Sequence, residues 1–158
     1  MRTSVSDRLS FGDESECSHL RDGSLAVVHA CKDPCHRHSV GYTTRTIARG
    51  HPNYLFLERD HHLYLNLIDP EQPLFMMTSF DAFLRFVDRE IVDRPVLIHC
   101  NQGESRAPSL TLLYMAKRLG SLPNDSYESA ATAFRVQFRY SPSRGIQIWL
   151  TNNWEKIA

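Results

Sequence analysis

A short apolar run, followed at once by a polar loop and a proline-started helix, constrains the fold of this chain more than any other feature. The run Pro95 to Ile98 is compact and apolar, which is typical of a buried strand. Polar residues from Asn101 end it, and Pro108 stands where the first turn of a helix tolerates proline. Strands come first in the sequence and alternate with helices later. We therefore predict an α/β fold with a central sheet flanked by helices.

The remaining pattern fits one domain, since 158 residues suffice for a single hydrophobic core. Apolar runs predict further strands at 25–29, 54–57 and 62–68. Helical periodicity and stop signals predict helices at about 80–91, 108–119, 125–138 and 145–157. Residues 1–23 are polar and are predicted to form a weakly ordered arm. Residues 24–158 are then the folded domain.

Charge and hydropathy exclude several classes of partner. The 18 basic and 18 acidic side chains balance, so the chain lacks the positive excess of a nucleic-acid or acidic-membrane binder. Its longest apolar run, Leu112 to Ala116, is far short of the ~20 residues that cross a bilayer. We therefore predict a cytoplasmic monomer without a nucleic-acid or membrane partner.

The loop after the Pro95 to Ile98 strand has the features of an anion site. Its backbone N–H groups can converge on one point at a helix N-terminus, where the helix dipole favours negative charge. Gly103 lets the backbone turn tightly, and the planar guanidinium of Arg106 suits two phosphate oxygens. The residues predicted to bind the anion are Asn101, Gln102, Gly103, Glu104, Ser105 and Arg106.

Three side chains around this loop are candidates for catalysis besides Arg106. Cys100 lies at the base of the loop, where the same field favours the thiolate, which could attack a bound phosphate and form a phosphoryl-cysteine intermediate. His99 could orient the loop through its ring N–H groups. Asp69 closes the 62–68 strand and is predicted to lie at the same sheet edge, where it could give a proton to the leaving oxygen.

The segment 99–106, HCNQGESR, matches the HCxxGxxR signature of cysteine-dependent protein phosphatases, and the chain resembles a small dual-specificity phosphatase domain. Asp69 stands where this family keeps its general acid, and the segment 140–146 also resembles the family's C-terminal pattern. The resemblance implies a central, mostly parallel sheet and hydrolysis of phosphate monoesters without metal or cofactor. It also implies a phosphorylated protein substrate, with phosphotyrosine, phosphoserine and phosphothreonine all accepted.

One residue departs from the family pattern. Ala107 stands where the family usually has serine or threonine, whose hydroxyl stabilises the departing thiolate when water cleaves the intermediate. We expect slow breakdown of the phosphoryl-enzyme unless Ser105 or Ser109 supplies that hydrogen bond. A pseudophosphatase that only binds phosphorylated partners stays open as an alternative. RNA 5′ phosphates and phosphoinositides rank below phosphoprotein as substrates, because Glu104 would repel highly anionic ligands.

Cysteine and histidine residues crowd the segment after the first predicted strand of the folded domain. Imidazole and thiolate together are a good zinc ligand set, but the spacing matches no common structural site. Cys31 or Cys35 could alternatively protect an oxidised Cys100 as a disulfide. We expect partly buried cysteines and surface histidines, and no metal. The crowded residues are His29, Cys31, Cys35, His36 and His38.

Overall fold

The computed structural model describes residues 1–17 and 23–158, which form one sheet flanked by helices. The sheet has six strands: Arg2–Ser4 (β1), Leu9–Gly12 (β2), Ala26–His29 (β3), Phe56–Arg59 (β4), His62–Leu65 (β5) and Val96–His99 (β6). Their order across the sheet is β1-β2-β6-β3-β5-β4. Strands β2, β6, β3 and β5 run parallel, while β1 and β4 pair antiparallel at the edges. The predicted α/β fold around a mostly parallel sheet is confirmed.

The described residues also form five α-helices: Arg37–Val40 (α1), Met77–Glu90 (α2), Arg106–Tyr114 (α3), Tyr127–Gln137 (α4) and Arg144–Asn153 (α5). Helix α3 continues as a π-helical turn and stops at Gly120, whose φ of 64° is the left-handed conformation that glycine adopts readily. No helix among these residues combines the length and the apolar composition that crossing a bilayer requires.

Aromatic side chains fill the space between the helices and one face of the sheet. Phe80, Phe83 and Phe86 of α2 are at most 1% exposed. Phe80 stacks on Trp149 of α5, with the ring centroids 4.1 Å apart. The predicted helices therefore bury their apolar faces in one core, which fixes the sheet against α2 and α5.

Alternation along the strands sends successive residues to opposite faces of the sheet. On β6, Ile98 belongs to the helical core and Leu97 to a separate cluster on the other face. His99 is two positions after Leu97 and therefore lies on the same face of the sheet as Leu97. It is paired in register with His29, the last residue of β3. Two buried imidazoles thus lie side by side at the carboxyl ends of neighbouring parallel strands, on the face away from the main helices.

The first residues of the chain correct the prediction of a weakly ordered arm. Within residues 1–17, β2 pairs in parallel with β6, and β1 pairs with β2. Leu9 and Phe11 of β2 are only 1% and 3% exposed. Residues 18–22 of the predicted arm lie outside the described residues. The arm prediction fails because two apolar residues in a polar stretch are enough to anchor a short strand beside a buried one.

Candidate active site

Cys100 is the first residue after β6, and its sulfur faces the loop that leads to α3. The side chain is 2% exposed. Its Sγ accepts a hydrogen bond from the backbone N–H of Gly103 at 3.3 Å. Its own N–H donates to the carbonyl of Gly12 on the neighbouring strand at 3.2 Å. The sulfur therefore lies at the base of a loop of amides, as the sequence predicts.

Gly103 lies in the loop where it passes closest to the N-terminal segment. Its φ of 73° lies in the left-handed region, which disfavours side chains. A Cβ here would lie 3.0 Å from the carbonyl carbon of Gly12 and 3.1 Å from the backbone nitrogen of Asp13. Glu14 adds a hydrogen bond from its N–H to the carbonyl of Asn101 at 3.0 Å. Residues just after β2 thus form one wall of the loop.

Arg106 opens helix α3 and holds the loop from the opposite side. Its guanidinium is largely buried, at 8% exposure for the residue. Nη1 donates to the carbonyl of Leu67 at 2.9 Å, and Nη2 donates to Oδ1 of Asn101 at 2.7 Å. Its Nε is buried without a hydrogen-bond partner among the described residues. A buried donor without a partner on a cationic group at a helix N-terminus is the feature expected where an anionic ligand binds.

Asp69 lies against the same loop, as predicted. Its Oδ1 accepts a hydrogen bond from the hydroxyl of Ser105 at 3.0 Å. That hydroxyl oxygen in turn accepts from the backbone N–H of Ser143 at 2.9 Å. The carboxyl group is therefore tied to the residue directly before Arg106, which brings three of the four predicted catalytic residues, Cys100, Arg106 and Asp69, to one end of the sheet.

The start of helix α5 holds the segment that carries Asp69. The backbone N–H of Gly145 donates to the carbonyl of Pro70 at 3.2 Å. A Cβ at Gly145 would lie only 2.2 Å from the carbonyl oxygen of Gln72 and 2.4 Å from that of Pro70. Because both obstacles are backbone atoms, no larger residue fits without moving the acid segment. This role of Gly145 had no signal in the sequence beyond the family resemblance of segment 140–146.

His99 is oriented away from the loop that it was predicted to position. The residue is fully buried, and its Nε2 lies 2.7 Å from Nδ1 of His29. Its Nδ1 lies 3.3 Å from the carbonyl of Cys100, the hydrogen-bond contact that the described residues show between this ring and the loop. The ring therefore belongs chiefly to a cluster behind the sheet end rather than to the anion site.

Among the other predicted binding residues, Asn101 is hydrogen-bonded to neighbouring segments, and Gln102 and Glu104 are exposed. Asn101 is tied down on two sides, since its Nδ2 donates to Oε2 of Glu14 at 3.1 Å and to the carbonyl of Asp33 at 2.8 Å. Gln102 and Glu104 are exposed at the rim of the loop. Asn101 therefore shapes the loop, while the two exposed side chains are free to meet a ligand.

Two of the five crowded residues, His36 and His38, lie apart from the others in the structure. His36 Nδ1 pairs with the hydroxyl of Tyr42 at 2.9 Å, and its Nε2 donates to the carbonyl of Asn53 at 2.8 Å. His38 is exposed. Cys31 packs in a small buried cluster apart from the core cluster that holds the nucleophile candidate. Among the described residues, neither Cys31 nor Cys35 makes a hydrogen bond with Cys100.

His29 and Cys35 instead meet His99 and Cys17, a residue that the sequence analysis left without a role. Burial lowers the pKa of His29 to about 4. The hydrogen bond with Cys35, followed by those with His29 and His99, holds the pKa of Cys17 far below its ordinary value. The same contact with Cys17 raises the pKa of Cys35. The two side chains are in direct contact, with their sulfurs 3.0 Å apart.

Comparison with solved structures covers nearly the whole chain. A human tyrosine phosphatase-like serine/threonine/tyrosine-interacting protein superposes with a TM-score of 0.64 at 18% identity, over 99% of this chain and 96% of that chain. The phosphatase domain of Yvh1 from Chaetomium thermophilum gives a TM-score of 0.60 at 18% identity, over 98% of this chain and 95% of that chain. Human DUSP28 superposes with a TM-score of 0.64 at 13% identity, over 99% of this chain and 94% of that chain. The chain has the dual-specificity phosphatase fold. No family model and no curated protein matches its sequence.

Within the dual-specificity phosphatase fold, the hydroxyls near Ala107 are engaged elsewhere. Ser105 donates its hydroxyl proton to Asp69. Ser109 pairs with the hydroxyl of Tyr140 at 2.7 Å, and Tyr140 pairs in turn with Tyr127 at 2.8 Å. Among the described residues neither serine makes a hydrogen bond with Cys100 Sγ, so no contact replaces the one that Ala107 cannot make.

Proposed function

We propose that the chain is a cysteine-dependent phosphomonoester hydrolase that acts on phosphorylated protein side chains. The observation that carries this proposal is the arrangement of two groups at the N-terminus of α3. The sulfur of Cys100 accepts an amide N–H of its own loop, and one buried N–H of the Arg106 guanidinium has no partner among residues 1–17 and 23–158. A phosphate held by the loop amides and this N–H would present phosphorus to the sulfur beneath it.

The reaction follows in two displacements. In the first, the Cys100 sulfur forms a bond to phosphorus as the bond from phosphorus to the ester oxygen breaks, and the Asp69 carboxyl group gives its proton to that leaving oxygen. In the second, Asp69 takes a proton from water as the water oxygen attacks phosphorus and the sulfur departs. Inorganic phosphate leaves, and both side chains return to their starting forms.

The acid role of Asp69 predicts a leaving-group effect. We expect Asp69→Asn to lower kcat about 10²-fold for alkyl phosphates, since an amide cannot supply the proton, and far less for aryl phosphates with acidic leaving groups. Steady-state rates over a series of leaving groups measure this. Asp81→Asn, on α2, is the matched control. An equal loss for every leaving group would assign Asp69 a purely structural role through its hydrogen bond with Ser105.

The surroundings of the loop favour a phosphorylated protein side chain over a polyanionic ligand. Glu104 stands exposed at the rim, where its carboxylate would repel further phosphates. A cavity of about 830 Å³ is joined to the loop through Leu67, which lines the cavity and whose carbonyl accepts from Arg106; no loop residue is itself part of the lining. Lys32 and Thr46 line it too, so it offers both apolar and polar contacts to residues that flank a phosphorylated side chain.

A binding module without turnover is the second candidate, favoured by Ala107. Phosphate release from phosphopeptides, inositol phosphates and triphosphorylated RNA decides between the two. We expect release from phosphotyrosine, phosphoserine and phosphothreonine peptides well above the buffer blank, with a trapped enzyme carrying one phosphoryl group. Tight phosphopeptide binding with no release would establish the binding module. Preferred release from inositol phosphates or RNA would reassign the substrate.

Ala107 predicts that breakdown of the phosphoryl-enzyme limits the rate. With a chromogenic aryl phosphate we expect a burst equal to the enzyme concentration. Ala107→Ser should raise the steady-state rate roughly 2- to 10-fold, the worth of one hydrogen bond. Rapid-mixing absorbance measures both phases, and Ala116→Ser, another buried position, serves as the control. An unchanged steady-state rate in Ala107→Ser would contradict slow breakdown.

The cellular context of this activity stays a prediction. A cytoplasmic monomer that acts on other proteins is the prediction from the sequence, and the balance of 18 basic and 18 acidic groups bears only on the lack of a positive excess for nucleic acid. Size-exclusion chromatography with light scattering measures the oligomeric state.

A further inference from the structure

Four side chains behind the catalytic loop direct their donor atoms at one point. The donor atoms of Cys17, His29, Cys35 and His99 all lie within 4.8 Å of one another. The two sulfurs are 3.0 Å apart, and Nδ1 of His29 is 2.7 Å from Nε2 of His99. Each imidazole also faces a sulfur, with Cys17 Sγ 4.0 Å from His29 Nδ1 and Cys35 Sγ 3.9 Å from His99 Nε2. Two sulfurs and two nitrogens thus surround a common centre.

The fold, rather than local sequence, brings these residues together. His29 and His99 end the neighbouring parallel strands β3 and β6 and are partners in register. Cys35 lies in the helical turn that follows β3, and Cys17 follows a short 3₁₀ helix after β2. Four separate segments therefore converge, and two of them are strands of the central sheet.

The surroundings of the cluster orient the facing nitrogens. His29 uses its other nitrogen, Nε2, to contact Nδ1 of His62 at 2.9 Å. His99 uses its other nitrogen, Nδ1, to contact the carbonyl of Cys100 at 3.3 Å. Second partners of this kind fix the ring orientation of histidines that ligate metals. The free lone pair of each ring can then point to the centre of the cluster.

Burial closes the cluster to solvent. His99 is 0% exposed, His29 2% and Cys35 4%, while Cys17 is half-buried at the outer side. Two thiolates and two imidazoles in a closed, four-donor arrangement are the ligand set of structural zinc sites. Softer sulfur donors also disfavour magnesium and calcium.

We propose that Cys17, His29, Cys35 and His99 form a structural zinc site that fastens the N-terminal segment to the ends of β3 and β6. On binding, Zn²⁺ accepts one lone pair from each residue, and any thiol proton still present passes to solvent. This site goes beyond the proposed hydrolase. It also departs from the sequence analysis, which expected no metal and sought ligands among neighbours in the sequence.

The site gives the catalytic loop a second support. His99 directly precedes Cys100, and Cys17 lies soon after Gly12, Asp13 and Glu14, which wall the loop. A metal that joins Cys17 to His99 would hold this wall against the loop. Loss of the metal should therefore loosen the loop without touching the residues that would bind phosphate.

Metal analysis of the full chain tests the proposal directly. After purification without chelator, we expect about one zinc ion per chain by inductively coupled plasma mass spectrometry. Removal of zinc with a strong chelator should lower Tm by at least about 5 °C, and readdition should restore it. The demetallated wild type should take up one Co²⁺ and develop the visible absorption of tetrahedral cobalt with thiolate ligands. Wild type that binds neither Zn²⁺ nor Co²⁺ would overturn the site.

Variants separate the four ligands from their neighbours. Cys17→Ser and Cys35→Ser should each lose at least about 10-fold in zinc affinity, measured by competition with a chromogenic chelator. Cys31→Ser, a buried thiol outside the four, should keep wild-type affinity. An equal loss of zinc affinity in Cys31→Ser would contradict the assigned ligand set. A disulfide between Cys17 and Cys35 in metal-free protein purified with a reducing agent would show that the two residues form a disulfide instead of a zinc site. Zinc content and Tm are read without substrate, so these results stand whether or not the chain hydrolyses phosphate.

Discussion

Replacement of Cys100 by serine will reduce phosphate release by at least roughly 10⁴-fold while the chain still binds phosphopeptides. The alcohol has nearly the size of the thiol but is a far weaker nucleophile at neutral pH, so the first displacement fails while the amide loop and Arg106 remain. The hydrogen bond from Gly103 to the side-chain atom of residue 100 can persist. Phosphate release and phosphopeptide binding by calorimetry, on the same preparation, measure the two effects.

Cys31→Ser is the matched control for this prediction. Cys31 is also a fully buried free thiol, but it packs in the separate cluster with Cys35 and Tyr64. It should retain the wild-type rate. If Cys100→Ser keeps the wild-type rate as well, the nucleophile is elsewhere and the hydrolase mechanism fails. If wild type and both variants bind without release, the binding module is the function.

Replacement of Arg106 by lysine will lower kcat/KM roughly 10³-fold, although the positive charge is kept. The guanidinium makes two hydrogen bonds, to Leu67 and Asn101, and its Nε–H, which has no partner in the described part of the chain, is the donor proposed for phosphate. A lysine ammonium group is a point charge and cannot reproduce this planar fork. The loss should appear in both kcat and KM, because the contact with phosphate strengthens as the transition state forms.

Arg85→Lys provides the control. Arg85 is exposed on α2, so this variant has the same arginine-to-lysine substitution away from the loop. Arg106 also has a structural role, because it hydrogen-bonds both to Leu67, after the end of β5, and to Asn101 of the loop. Thermal unfolding of both variants therefore separates a loss of catalysis from a folding defect. A kcat/KM within a factor of a few of wild type in a folded Arg106→Lys protein would show that phosphate is held by the backbone amides alone.

The loop and the fold class could be read from the sequence because their signals are local. The succession of apolar strand, polar loop and proline-started helix lies within the segment 95–109, and the structure has β6 and α3 there. The placement of Asp69 beside the loop followed from the rule that parallel strands end at one sheet edge, and its hydrogen bond with Ser105 agrees with that rule. The roles of these residues in catalysis stay predictions.

The N-terminal strands and the four-residue cluster could not be read in the same way. The register of β2 against β6 joins residues far apart in sequence, and no single-sequence pattern encodes such a pairing. Cys17, His29, Cys35 and His99 likewise share no motif spacing, because the pairing of β3 with β6 brings them together. One local signal was present, since Leu9 and Phe11 alternate with polar neighbours as in a strand with one buried face.

The wall that Gly12, Asp13 and Glu14 build against Gly103 makes the shape of the catalytic loop conditional on a distant piece of chain. Edge segments of a sheet open locally at lower free energy than the central strands. An opening of this edge would release the wall and leave the helical layer folded around Phe80 and Trp149. The proposed hydrolysis would therefore depend on the N-terminal strands, although these strands contribute none of the side chains proposed to take part in the reaction.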